Sequence, residues 1–191
     1  MTFKRITVFG GAAKSIDTQY NAAAFKLGEI IGQNNMQLVF GIGDNGMMGQ
    51  VFHGALRECA SIRGITTPKL LELQCENPGL FKEGEIEIVP NLSVRKFKMF
   101  EEGDVMLILP GGWGTLDELA EFSVLIQTGE IPKKPLVFIN LNGFWDSFKE
   151  QLKRMYEDGA LNKEKADYVG FVDTVEEALP EAEKIYHRLH G

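Results

Sequence analysis

Short apolar runs alternate with amphipathic stretches along the whole chain. The apolar runs are typical of buried parallel strands, and they occupy residues 5–11, 36–41, 61–67, 85–90, 104–110, 134–140 and 168–173. The amphipathic stretches predict helices at 17–35, across Met47 to Leu56, at 91–100, from Thr115 onward, at 143–161 and at 174–189. Segment 68–83 is polar, contains proline and glycine, and is predicted to be a loop.

This alternation predicts an α/β fold: a doubly wound, Rossmann-like parallel sheet with helices on both faces. The sequence has no internal repeat, low-complexity tract or linker-like stretch. We therefore expect a single domain over residues 1–191.

The amino-acid composition excludes several classes of binding partner and ligand. The chain has 191 residues and a formal net charge of −7, which argues against a general nucleic-acid or membrane-surface binder. Two cysteines and three histidines show no metal-ligand spacing, so neither a metal nor a cofactor is predicted. No signal-peptide pattern opens the sequence and no apolar run approaches ~20 residues. We expect a cytoplasmic protein.

Glycines cluster where three of the predicted strands end. Since the carboxyl ends of parallel strands form the ligand-binding edge of such sheets, these clusters predict a site there. The glycines are Gly10 and Gly11, then Gly41, Gly43 and Gly46, then Gly111, Gly112 and Gly114.

The second cluster, GIGDNG at 41–46, matches the dinucleotide-binding pattern G-x-G-x-x-G. That interpretation requires an acidic residue about 20 positions later, on the next strand. The sequence there is SIRGITT at 61–67, without a carboxylate. A glycine turn for close helix packing, or a phosphate contact from another ligand, is therefore favoured over NAD binding.

The third cluster, PGGWGT at 110–115, brings backbone N–H groups to a helix N-terminus and predicts an anion site, with phosphate as the obvious ligand. No Lys-Ser/Thr pair follows, so it is not a Walker A loop. Glu118 has two interpretations: a capping box with Thr115, or a functional carboxylate ~5–8 Å from the phosphate. Glu121 is expected to be a solvated or paired residue.

Arg95 and Lys96 lie on the short helix predicted at 91–100, before the central strand. Basic residues at such positions commonly form a solvated face. A functional arginine there would instead bridge a phosphate and sugar hydroxyls with its planar guanidinium.

With these residues laid out, the sequence resembles the LOG-like family, the cytokinin riboside 5′-monophosphate phosphoribohydrolases, long labelled "possible lysine decarboxylases". The family signature P-G-G-x-G-T-x-x-E is complete at 110–118, and its R-K pair matches Arg95-Lys96. Its glycine loop is similar to GIGDNGMMG at 41–49. Further similarity at 8–20 and 133–146 extends the resemblance over almost the whole chain.

The resemblance implies a hydrolase that cleaves the N-glycosidic bond of a nucleoside 5′-monophosphate, with Arg95 and Glu118 as its catalytic pair. The substrate-binding residues implied are Gly43, Gly46, Lys96, Gly111, Gly112, Gly114 and Thr115. It also implies a homodimer or larger homo-oligomer, with the pocket near the subunit interface. Nothing in the sequence places a pyridoxal cofactor, so no decarboxylase is implied.

Besides Ile42 and Met47 in the glycine loop, five positions depart from the family pattern. Ala12 and Ala13 replace two serines, which removes hydroxyls that help to hold a phosphate, and Leu92 and Ser93 replace a methionine and a histidine. Trp113 stands where tyrosine or phenylalanine is usual. The substrate is expected to be a purine nucleotide such as AMP or a cytokinin riboside monophosphate. The alternative is a non-catalytic carrier of a nucleotide or of molybdenum cofactor.

Overall fold

A computed structural model describes residues 2–13, 18–82, 84–162 and 166–191. In this part of the chain, seven parallel strands form one sheet in the order β4-β3-β2-β1-β5-β6-β7. The strands are β1 (Arg5–Phe9), β2 (Gln37–Phe40), β3 (Ser61–Thr66), β4 (Ile86–Ile88), β5 (Val105–Ile108), β6 (Leu136–Ile139) and β7 (Val169–Val172). The predicted doubly wound α/β fold is confirmed.

Helices follow the strands and cover both faces of the sheet. They are α1 (Thr18–Gln33), α2 (Gly46–Arg57), α3 (Pro68–Gln74), α4 (Leu92–Glu102), α5 (Trp113–Thr128), α6 (Asp146–Glu157) and α7 (Ala178–His190). The predicted start of the first helix, Asp17, lies outside the described residues. Within the ranges described above, no helix has the length and apolar character that crossing a bilayer requires.

The prediction of a loop over 68–83 is wrong, because α3 forms at its start. The Thr67 hydroxyl accepts a hydrogen bond from the backbone N–H of Leu70 at 3.2 Å, which caps the helix. Pro68 occupies the first helical position, where a missing N–H costs nothing. A short 3₁₀ turn follows at Pro78–Leu80. This helix matters for function because it lies beside the cavity described below.

The centre of the sheet is fully buried on both faces. All four residues of β5 are inaccessible to solvent, as expected for a central strand covered by helices. Edge strand β4 is only half-buried or exposed along its length. The carboxyl end of β5 therefore lies at the edge of the fully buried centre of the sheet.

A lysine secures the end of α4, the helix that carries Arg95 and Lys96. The Lys134 ammonium group donates hydrogen bonds to the backbone oxygens of Phe100 at 2.6 Å, Glu101 at 2.9 Å and Gly103 at 2.6 Å. Burial lowers the pKa of Lys134. Because the last carbonyls of a helix lack partners within it, this ammonium group ties the C-terminal end of α4 to the segment leading into β6.

We expect Lys134→Met to lower the free energy of unfolding by about 2–3 kcal/mol, because it removes three charge-assisted hydrogen bonds from partly buried carbonyls. Urea denaturation at fixed protein concentration measures this loss. Lys133→Met is the matched control: Lys133 forms a half-exposed ion pair with Asp167, and its loss should cost less than about 1 kcal/mol. Equal losses in the two variants would contradict this role of Lys134.

Candidate active site

A cavity of about 600 Å³ opens at the carboxyl edge of the sheet. Its walls come from the segments after β1, β2 and β5 and from helices α3, α4 and α5. The lining residues used below are Ala12, Ala13, Gly41, Ile42, Leu70, Gln74, Leu92, Arg95, Lys96, Gly111, Gly112, Gly114, Thr115, Asp117 and Glu118. Most of the predicted site residues are thus brought together.

Arg95 is buried in the wall of this cavity, with 8% of its surface exposed. Its Nε donates to the backbone oxygen of Ile65 at 3.1 Å, and its Nη1 donates to Oε1 of Glu118 at 3.2 Å. A Cβ at Gly41 would lie 1.4 Å from Nη2 of Arg95, so only glycine leaves room for the guanidinium. The solvated-face interpretation of Arg95 and Lys96 is therefore wrong.

Glu118 faces Arg95 from the second turn of α5, and its side chain is 12% exposed. Burial raises the pKa of Glu118 to about 7, although the charge and hydrogen bond of Arg95 oppose the rise. A carboxyl with this pKa changes its protonation state near neutral pH, which is a common property of catalytic acids and bases.

The capping-box interpretation of Glu118 is wrong. Helix α5 begins at Trp113 with Gly112 as its N-cap, so Thr115 lies inside the first turn. Thr115 is buried at 3% exposure, and a Cβ at Gly111 would lie 2.1 Å from its Oγ1. The Glu118 carboxylate accepts a hydrogen bond from Arg95 instead.

The N-terminus of α5 forms one wall of the cavity through Gly111, Gly112, Gly114 and Thr115. The first N–H groups of any helix lack partners within it, and the helix dipole is positive at this end. This wall is therefore suited to an anion. Among the residues with coordinates described here, no cluster of His, Cys, Asp and Glu is arranged to hold a metal ion.

Lys96 lines the cavity, but its ammonium group is engaged by two carboxylates of α5. It donates to Asp117 at 2.8 Å and pairs with Glu121. Burial disfavours the charge, yet the two carboxylates outweigh burial and raise the pKa of Lys96. Lys96 thus joins α4 to α5 and fixes the distance between the helices that carry Arg95 and Glu118. The expectation of a paired Glu121 is confirmed.

Two predicted binding residues, Gly43 and Gly46, lie outside the cavity lining. A Cβ at Gly43 would lie 3.6 Å from the backbone oxygen of Gln74, at the end of α3. Gly46 has a φ of +58° and lies against the backbone of Ala12. Gly41 and Ile42 of the same loop line the cavity instead.

Sequence reasoning missed the contribution of α3, which places Leu70 and Gln74 in the cavity wall. The local signal was present as Thr67 followed by Pro68, a common helix start. Phe144, which lies beyond β6, also lines the cavity without having been predicted.

The chain is similar to proteins of known family and structure. The family model described as "possible lysine decarboxylase" matches residues 48–182. The cytokinin riboside 5′-monophosphate phosphoribohydrolase LOG of Oryza sativa subsp. japonica is 30% identical over 182 residues, covering 95% of this chain and 74% of the relative. LOG1 of Arabidopsis thaliana is 31% identical over 160 residues, covering 84% and 73%.

The molybdenum cofactor carrier protein of Chlamydomonas reinhardtii has a similar solved structure. The TM-score is 0.64 at 16% identity, and the match covers 97% of this chain and 99% of that chain. At this identity the likeness describes the fold alone.

The raised pKa of Glu118 predicts how the free energy of unfolding depends on pH. Because its pKa of about 7 in the folded state exceeds the ordinary value of 4.5, the unfolded chain releases this proton at lower pH. The protein therefore loses stability as pH rises from about 4.5 to about 7, by on the order of 2–3 kcal/mol. Glu118→Gln removes this titration.

Urea denaturation of the parent and of Glu118→Gln at pH 5, 6, 7 and 8 measures the effect. The variant should become more stable relative to the parent as pH rises through about 7, with little further change above about pH 8. Other titrating groups are common to both proteins and cancel in the difference. If the difference in free energy of unfolding between the variant and the parent stays constant from pH 5 to pH 8, the raised pKa of Glu118 is contradicted.

Proposed function

The chain belongs to the family described as possible lysine decarboxylases, which includes the LOG phosphoribohydrolases, and we propose that it hydrolyses a nucleoside 5′-monophosphate. The products are the free base and ribose 5-phosphate. The substrate is a purine nucleotide such as AMP or a cytokinin riboside monophosphate. The relatives named as phosphoribohydrolases support the reaction class.

The observation that carries the proposal is the pairing of Arg95 with Glu118 inside the cavity, one turn beyond the anion-binding end of α5. A phosphate on the backbone N–H groups of residues 112–115 leaves the attached sugar within reach of the Glu118 carboxylate. Binding energy at the phosphate then holds the anomeric carbon in place for reaction.

The reaction breaks the bond between C1′ of the sugar and the nitrogen of the base. The base leaves with the bonding electron pair, and positive charge develops on C1′ and the ring oxygen. The ionised Glu118 carboxylate stabilises that charge and accepts a proton from the attacking water, whose oxygen bonds to C1′. The departing base takes up a proton from solvent, and Glu118 later returns its proton to solvent. Arg95 holds the phosphoribosyl group with its planar guanidinium and orients Glu118.

A carrier of a nucleotide or molybdenum cofactor is the alternative function. A carrier needs the anion-binding wall but has no use for a buried carboxyl that changes protonation state near pH 7. Binding without release of base would favour the carrier over the hydrolase.

We expect Glu118→Gln to lower the turnover of AMP by roughly 10²–10⁴-fold, because it removes a carboxylate that acts in the transition state. Chromatographic measurement of free adenine gives the rate, and isothermal titration with AMP shows whether binding is kept. Glu121→Gln is the matched control on the same helix, since Glu121 pairs with Lys96 outside the cavity lining; its rate should fall less than tenfold. Full activity in Glu118→Gln would refute the catalytic assignment.

We also propose that the chain forms a homodimer through α4 and α5. Apolar side chains there are exposed to solvent: Trp113 by 88%, Val124 by 55%, Leu92 by 50% and Phe97 by 39%. Along α5, Trp113, Ala120 and Val124 recur at helical spacing, so they form one apolar stripe beside the cavity. Large exposed patches of this kind mark interaction surfaces.

Sedimentation velocity at micromolar concentration should show a particle of twice the 21.3 kDa chain mass. Val124→Glu places a charge within the proposed interface and should shift the protein to the monomer. Leu73→Glu, on an exposed residue of α3, is the matched control and should leave the dimer intact. A monomeric parent protein would end this proposal without affecting the hydrolase assignment.

A further inference from the structure

The strand order places the α5 wall and the α3 wall at opposite ends of the cavity. Helix α5 follows β5 and helix α3 follows β3, and these strands are separated by β1 and β2 in the sheet. Three strand spacings place the two walls about 14 Å apart. If the phosphate occupies the α5 end and the sugar lies beside Glu118, the base extends toward Leu70 and Gln74 of α3.

Gln74 is the uncharged hydrogen-bonding side chain at this α3 end of the lining. In the described part of the chain, its side-chain amide has no hydrogen-bond partner. An amide presents one acceptor and one donor side by side. On the edge that carries N7, adenine offers the complementary pair, N7 as acceptor and N6–H as donor, whereas guanine offers two acceptors there, N7 and O6.

Asp44 fixes the position of Gln74. The backbone N–H of Asp44 donates to the backbone oxygen of Gln74 at 3.2 Å, which leaves the side-chain amide free to face the cavity. The Asp44 carboxylate accepts from the backbone N–H of Glu76 at 2.9 Å and of Asn77 at 2.7 Å. The loop after β2 and the end of α3 are thus held together by one side chain.

The loop after β2 also has a strained backbone, and the hydrogen bonds of Asp44 help to offset the cost of that strain. Ile42 has a φ of +62°, a conformation that β-branched residues rarely adopt and that costs on the order of 1–3 kcal/mol. Ile42 lines the same cavity as Arg95 and as Leu70 and Gln74 of α3. Asp44 therefore stabilises the cavity wall where the base is expected to lie.

We propose that Gln74 is the residue that selects adenine over guanine, and that Asp44 is a positioning residue that holds Gln74 at the cavity wall. The inference rests on the proposed function, because it assumes a nucleotide oriented with its phosphate on α5. Gln74 contacts the base edge, and Asp44 acts only through Gln74 and the loop.

The experiment compares AMP with GMP. The parent protein should favour AMP in kcat/KM by about 5- to 150-fold, the discrimination that a bidentate amide–adenine pair provides. Gln74→Ala should lose this preference, mainly through a higher KM for AMP. Gln74→Arg should favour GMP, since a guanidinium pairs with two acceptors. Asp44→Asn should reduce the AMP preference without abolishing turnover.

Glu72→Gln is the matched control, because Glu72 lies on the exposed side of α3. In this variant the ratio of kcat/KM for AMP to that for GMP should stay within twofold of the parent value. A purely structural role of Asp44 would slow both substrates equally and leave the ratio unchanged. An unchanged ratio in both Gln74 variants would overturn the inference while the hydrolase assignment stands.

A second measurement is independent of turnover: isothermal titration of AMP and GMP to Glu118→Gln and to the Glu118→Gln, Gln74→Ala double variant. Preference for AMP in the first and its loss in the second would support the inference, even if the parent protein released no base and the hydrolase assignment failed. Equal affinity for both nucleotides in the first protein would overturn the inference.

Discussion

The site depends on one buried ion pair, Arg95 with Glu118. Two charged groups in a poorly solvated place are stable only if their remaining polar atoms are satisfied and their positions are fixed. The Ile65 carbonyl accepts from the guanidinium, and the missing side chain at Gly41 gives it space. Lys134 and Lys96 hold the supporting helix α4 at its end and against α5. Much of the polar structure around the cavity thus serves to keep this pair in place.

The glycines in the second and third clusters look alike in the sequence but have different physical causes. Gly111 is needed because Thr115 packs against it, and Gly41 because the arginine side chain passes over it. Gly46 adopts a positive φ against the backbone of Ala12. A glycine-rich strand end therefore indicates close approach, and at these three positions the approaching group belongs to the protein itself. This explains why the G-x-G-x-x-G match at 41–46 did not need a dinucleotide.

The fold was predictable because alternating apolar and amphipathic runs have few topological solutions. Segment 68–83 was mispredicted because seven residues of helix cannot show clear periodicity, and only the Thr67 cap and Pro68 indicate it. The burial of Arg95 was not predictable from spacing, since it depends on Gly41 and Ile65, which are distant in sequence. The proposed catalytic role of Arg95 and Glu118 came from the family resemblance, whereas the geometry of the pair came from the structure.

Charge balance around the cavity determines how an anionic ligand is held. Lys96 is already neutralised by Asp117 and Glu121, and Ala12 and Ala13 supply no hydroxyl groups. The attraction for a phosphate must then come from the N-terminus of α5 and from Arg95. A phosphate that draws the Arg95 charge toward itself weakens the compensation of Glu118 and raises the pKa of that carboxyl further. In the proposed reaction, phosphate anchoring and carboxylate ionisation would therefore be coupled through a single guanidinium, and the pH range would depend on how Arg95 divides its hydrogen bonds between them.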